Sequence, residues 1–304
     1  MKFPQNILVI VSGKRRNHIA LSRAIQFAEF YDIKLNLLSW VYDPGTELSP
    51  LLPGSQKKLI KEQKLQERLD YLNELKANIE SKGIPVTTQV KWHRKIQKAV
   101  IEACEETKPD LVVKRISESA SSINPFTMPM DWQLLRQCPA PILLVKDEQW
   151  KLTSPILAAV DAASEDPKEQ SFNSQIVGYA KLLGRLTDAP IHAVSTHITP
   201  MVDKAISIPG FDLEDLRTQV NSLNHEKLAS LVTDFNVSSE NQHVVEGLAE
   251  DRIPALAEEI DSQLVVMGTI GRSGIKGAFM GNTAERVLTH LQCEVLALKP
   301  GSIN

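Results

Sequence analysis

Pro155-Ile-Leu-Ala-Ala-Val-Asp161, in the middle of the chain, repeats the pattern of Asn6-Ile-Leu-Val-Ile-Val-Ser12 near its start. Each is a continuous apolar run of strand length, as expected for a strand buried on both faces. Two further runs recur in the same order. Asp110-Leu-Val-Val-Lys114 is answered by Gln263-Leu-Val-Val-Met267, and Cys138-Pro-Ala-Pro-Ile-Leu-Leu-Val-Lys146 by Cys293-Glu-Val-Leu-Ala-Leu-Lys299. The spacing is nearly constant: 149 positions from Leu8 to Leu157, 153 from Leu111 to Leu264 and 155 from Cys138 to Cys293. Three segments in one order at one offset indicate a duplicated domain.

Helical patterns fill the intervals. Leu21, Ala24, Ile25 and Ala28 fall on one helical face, as do Leu65, Leu69, Leu72, Leu75 and Ile79 in a charged segment that ends at Gly83. Ile176, Val177, Ala180 and Leu183, then Leu213, Leu216, Val220 and Leu223, repeat this in the second half. The stripes stop after a few turns, which suits helices covering a sheet rather than a coiled coil. Each half therefore reads β-α-β-α-β-α-β-α-β. Strands are expected at 6–12, 33–41, 86–91, 110–115 and 141–146, then at 155–161, 190–197, 242–246, 263–267 and 294–298. The expected fold is α/β: two tandem Rossmann-like, five-stranded parallel-sheet domains, 1–148 and 149–304. The junction, Asp147-Glu-Gln-Trp-Lys-Leu-Thr-Ser154, is short and polar.

Composition narrows the function classes. The 304 residues, 42% apolar and 23% charged, suffice for two ordinary domains with real cores. A net charge of −3 gives no basic footprint for nucleic acid or an anionic membrane. Three cysteines without CxxC spacing argue against a disulfide framework or zinc knuckle and for a reducing compartment. The apolar run Ile7 to Val11 is too short for a signal-peptide core or a membrane span, so a cytoplasmic location is expected.

One segment carries chemistry. After the fourth strand of the second half the chain reads Met267-Gly268-Thr-Ile-Gly271-Arg272-Ser-Gly274-Ile-Lys276-Gly277-Ala-Phe-Met-Gly281-Asn282-Thr283. The glycines leave backbone amides open to wrap an anion, and a helix from about Asn282 directs its positive end to the same place. Arg272 and Lys276 add charge. No GxxxxGK[ST] is present, so this is not a Walker A loop.

Gly268-x2-Gly271-x9-Gly281 resembles the G-x2-G-x9-G-(S/T) loop of ATP-binding universal stress proteins. The likeness extends to the whole chain twice over and looks closest to the tandem-domain E-type members of that family. It implies an adenine nucleotide alpha hydrolase-like fold, with the two domains paired through their last strands as an intrachain pseudo-dimer; a homodimer is a further option. It also implies ATP as the ligand, Mg²⁺ entering only with the nucleotide. The implied binding set is Asp161 on adenine with Ala162, Val194, Met267, Gly268, Gly271, Arg272, Gly274, Gly281, Asn282 and Thr283. Glu246-Gly247 matches the family pattern too. Asn282 stands where the family has Ser or Thr; its amide can also donate to phosphate. Catalytic residues and a resident metal are not implied, and the expected role is regulatory or protective in the stress response.

The first half departs from this pattern. Lys114 to Met130 contains no glycine, and Ser12 replaces the acidic residue. Lys114, Arg115 and His93 are candidates there for meeting an anion. His192, His197 and His243 lie on neighbouring strands, but two histidines five apart on one strand face opposite sides, which disfavours a metal site. His225-Glu226 lacks the second histidine of HExxH. Two alternatives stand beside nucleotide binding: a slow ATP hydrolase using Glu285, and a carrier of an apolar or lipid-like molecule, suggested by the apolar loops at 44–53 and 198–211.

Overall fold

The computed structural model describes residues 2–13, 18–116, 130–146, 150–151, 153–199, 213–269 and 281–300. The chain divides into two compact units, one built on Phe3–Asp147 and the other on Glu148–Lys276 with Met280–Pro300.

The first unit runs β1 (Asn6–Ile10), α1 (Ile19–Ala28), β2 (Lys34–Val41), α2 (Pro44–Leu48), α3 (Gly54–Glu80), β3 (Val86–Trp92), α4 (Ile96–Thr107), β4 (Leu111–Arg115), α5 (Met130–Gln137) and β5 (Ile142–Val145). Its strands order as β3-β2-β1-β4-β5. All pair in parallel, Ile7 lying between Leu35 of β2 and Leu111 of β4. Ile7, Leu8 and Val9 are fully buried, as a central strand covered by helices on both faces must be. The segment 44–53, expected as a loop, opens as the short helix α2. Pro44 presets its first turn, and the Asp43 carboxylate caps it by accepting from the Gly45 N–H at 3.1 Å.

The second unit runs β6 (Ile156–Ala159), α6 (Pro167–Gly184), β7 (Ile191–His197), α7 (Leu213–Val232), β8 (Gln242–Glu246), α8 (Ala249–Glu259), β9 (Leu264–Gly268), α9 (Asn282–His290) and β10 (Glu294–Leu298). The order β8-β7-β6-β9-β10 repeats that of the first unit strand for strand. Ile156, Leu157 and Ala158 form its buried centre, with Leu264, Val265 and Val266 beside them. In both units the strand order reverses beside the first strand, and open sheets of this kind bind ligands outside the carboxyl ends at that point. Among the described residues no helix is long and apolar enough to cross a membrane.

Candidate functional site

The register of the second sheet brings the carboxyl ends of three strands together. Ala159 of β6 pairs with Val194 on β7 and with Met267 on β9. One residue on, the Val160 N–H donates to the Val194 carbonyl at 2.9 Å. Strand β6 ends at Ala159, so Asp161 lies in the turn beyond it and not, as expected, in the strand. Buried side chains mould that turn. Asn173 of α6 accepts from the Asp161 N–H at 3.1 Å and donates to the Asp161 carbonyl at 2.8 Å, and the Ala162 N–H donates to Ser195 Oγ at 3.2 Å. Asn173 and Ser195 are buried, so the backbone that carries the half-buried Asp161 is held from beneath.

Gly268 is the last residue of β9, and its lack of a side chain has a packing cause. A Cβ there would lie 2.6 Å from Cε1 of Phe172 on α6. The next residue, Thr269, is buried and donates twice to the Leu298 carbonyl, from its N–H at 2.9 Å and from Oγ1 at 3.1 Å. Its own carbonyl accepts from the Gly281 N–H at 2.8 Å. The point where the glycine-rich segment leaves β9 is thus tied to the point where it enters α9. Gly271, Arg272 and Gly274 of the expected set lie outside the described residues. Gly281 is the N-cap of α9, with extended backbone and no side chain to satisfy the first-turn amides. Asn282 and Thr283 open the helix and are exposed, in the helical position expected from the sequence.

Some polar groups near these strand ends were not part of the expected set. Both ring nitrogens of His197, the last residue of β7, are shielded from solvent and have no hydrogen-bond partner among the described residues; the same holds for Thr199 Oγ1. His197 sits opposite Glu246 in the sheet, and its carbonyl accepts from the Gly247 N–H at 2.9 Å. Its place as the last residue of an expected strand was the one available signal. His192 and His243 form a pair instead: Nδ1 and Nε2 are 2.9 Å apart and the rings are stacked. Burial lowers the pKa of both. Among the described residues no group of three or more His, Cys, Asp or Glu is placed to hold a metal.

The first unit differs at the equivalent positions. Lys114, which matches Met267 in the repeat, is buried in β4, and its Nζ lies 2.6 Å from Asp131 Oδ1 on α5. The same ammonium donates to the Arg115 carbonyl at 2.6 Å. An internal ion pair therefore occupies the carboxyl end of β4. His93 follows β3, which is separated from β4 by β2 and β1, roughly 14 Å across three strand spacings. The expected cluster of Lys114, Arg115 and His93 does not form. His93 pairs instead with Glu102 of α4 at 2.8 Å.

The profile of the Universal stress protein family matches residues 4–146 and again 154–299. Universal stress protein E of Escherichia coli K12 is 31% identical over 301 residues, 99% of this chain and 95% of its own. The Universal stress protein E homolog of Haemophilus influenzae is 32% identical over 308 residues, covering 99% and 98%. Among solved structures, a universal stress protein from Pseudomonas aeruginosa UCBPP-PA14 superposes with a TM-score of 0.76 at 27% identity, covering 98% of this chain and 94% of that one.

Proposed function

The chain belongs to the universal stress protein family in both of its halves, and on that premise we propose that it is a stress-response protein that holds ATP or a related adenine nucleotide in its second unit, in a regulatory or protective role rather than a catalytic one. The observation that carries this reading is the convergence at the switch point. The Asp161–Ala162 turn, Val194 and Met267 meet there, and the Thr269–Gly281 hydrogen bond brings the start of α9 to the same edge. Asp161 and the backbone at Ala162 would face adenine; Val194 and Met267 would flank it. The open first-turn amides at Asn282 and Thr283 suit the phosphates, with Gly271, Arg272 and Gly274 completing the cradle. Mg²⁺ would arrive with the nucleotide.

The first unit would not bind nucleotide in this mode, because the Lys114–Asp131 pair fills the equivalent place. Leu48 and Leu51 of the first unit, 70% and 90% exposed, keep an apolar-ligand carrier as the second reading.

The test is to purify the protein without added nucleotide, denature it and identify released molecules by mass spectrometry, then to titrate ATP calorimetrically. Stoichiometric adenine nucleotide, lost in Gly281→Arg, is the expected result. An unchanged ATP affinity in that variant sinks the assignment of the loop.

A further inference from the structure

The first unit carries a cleft that plays no part in the nucleotide reading. It opens where β3 turns into α4, has a volume of ≈ 240 Å³, and is lined by His93, Arg94, Lys95 and Lys98. Nearby cations find carboxylates: Lys91 pairs with Glu106, and His93 with Glu102 at 2.8 Å. Arg94, Lys95 and Lys98 are exposed, and among the described residues none of them has an ion pair. Three uncompensated positive charges within five residues thus converge on one concave surface.

The duplication supplies an internal control. The corresponding turn of the second unit, from β8 into α8, has no cation at these positions and places Glu250 and Asp251 in the first turn of the helix. Acids there favour the helix, because its amino end is the positive pole of the dipole. Helix α4 has no acidic residue in its first turn and no side-chain cap; Lys95 is its N-cap and Lys98 lies in the first turn. The basic set therefore opposes what the fold alone prefers. Like charges held together against a helix amino end repel one another until an anion neutralises them.

We propose that this cleft is a second ligand site, taking the phosphoryl group of a small, soluble phosphate compound. Lys95 and Lys98 supply point charge, Arg94 a planar fork matched to two phosphate oxygens, and the Ile96 and Gln97 amides that open α4 the remaining donors. His93, steadied by Glu102, forms one wall. The volume lies below the roughly 300–1,000 Å³ of pockets that enclose drug-sized ligands, which selects a compact anion or leaves the rest of the ligand outside.

The test uses the full chain and inorganic pyrophosphate as the probe, followed by calorimetry and by amide NMR. Pyrophosphate should shift the Ile96 and Gln97 amides. Its affinity should fall about tenfold or more in the Lys95→Gln/Lys98→Gln double variant, whose exposed substitutions relieve the repulsion and leave the thermal midpoint at or above that of the wild type. Gly281→Arg should leave this binding intact, which separates its fate from that of the nucleotide site. Equal affinity in the double variant, or no shift at these amides in the wild type, overturns the proposal. So does binding to phosphatidylglycerol vesicles without binding to pyrophosphate, which would assign the cations to a membrane surface.

Discussion

Replacing Asp131 by Asn isolates the energetic role of the buried ion pair that closes the first unit's switch point. The Lys114 and Asp131 side chains are only 4% and 11% exposed, and their charged atoms lie 2.6 Å apart. Removing one partner of a buried pair costs about 3–5 kcal/mol. The Arg115 carbonyl, 2.6 Å from the same ammonium, still accepts from it, which places the loss near the low end, about 3 kcal/mol. For a unit of this size each kcal/mol moves the thermal midpoint by about 2–4 °C, so Asp131→Asn should lower the first unit's transition by about 6–12 °C. The repeat indicates the compensating change. Strand β9 carries Met267, 4% exposed, at the position of Lys114, so the double variant Lys114→Met/Asp131→Leu replaces both members of the pair by apolar side chains. Replacing a buried pair by well-packed apolar groups is often neutral or stabilising, and the double variant should return to within about 1 kcal/mol of wild type or exceed it. Differential scanning calorimetry, resolving the two units' transitions, reads both effects. A midpoint unmoved by Asp131→Asn, or a double variant no better than the single one, would refute the reasoning.

Gly268→Ala should destabilise the second unit by about 1–3 kcal/mol in urea melts, because the new methyl meets the Phe172 ring at 2.6 Å; Phe172→Leu in the same background should recover part of the loss. Gly281→Arg should remove ATP binding in calorimetric titration while leaving the melting of the first unit unchanged. The His192–His243 pair predicts a pH dependence. Burial lowers the folded-state pKa of both, the neighbouring charge of His243 adding to the effect at His192, while Glu240 and Glu259 act in the opposite direction. The unfolded chain therefore takes up protons first, so the pair's contribution is complete above the model-compound value of 6.5 and is lost as pH falls below it. Thermal midpoints recorded from pH 7.5 down to 5 should fall less steeply in His243→Phe than in wild type. Cys104 and Cys138 lie 3.8 Å apart in the interior; the hydrogen bond between the two thiols and then burial push the Cys104 thiol pKa up. Alkylation of both should be no faster than unfolding, and rapid labelling of the native protein would contradict this.

Much of the architecture was legible without coordinates. All ten expected strands are present among the described residues; the inner ones were legible because a strand buried on both faces must be continuously apolar and that requirement is local, whereas the edge strands β3 and β8 are only partly apolar. The duplication was visible for the same reason, and the start of α9 at Asn282 followed from the end of the glycine-rich segment. What the sequence could not supply were relations across the sheet. Whether His93 meets Lys114 depends on strand order, and two intervening strands keep them apart. That Gly268 answers to Phe172, 96 positions earlier, depends on how α6 lies on β9. Lys114 read as a cation open to an anion because nothing near it in sequence announces Asp131; the approach of α5 to the end of β4 supplies a counter-charge that lets an ammonium be buried. Periodicity reports which side of its own element a residue occupies, whereas partners are set by the docking of elements distant in sequence, and that the tertiary structure alone decides.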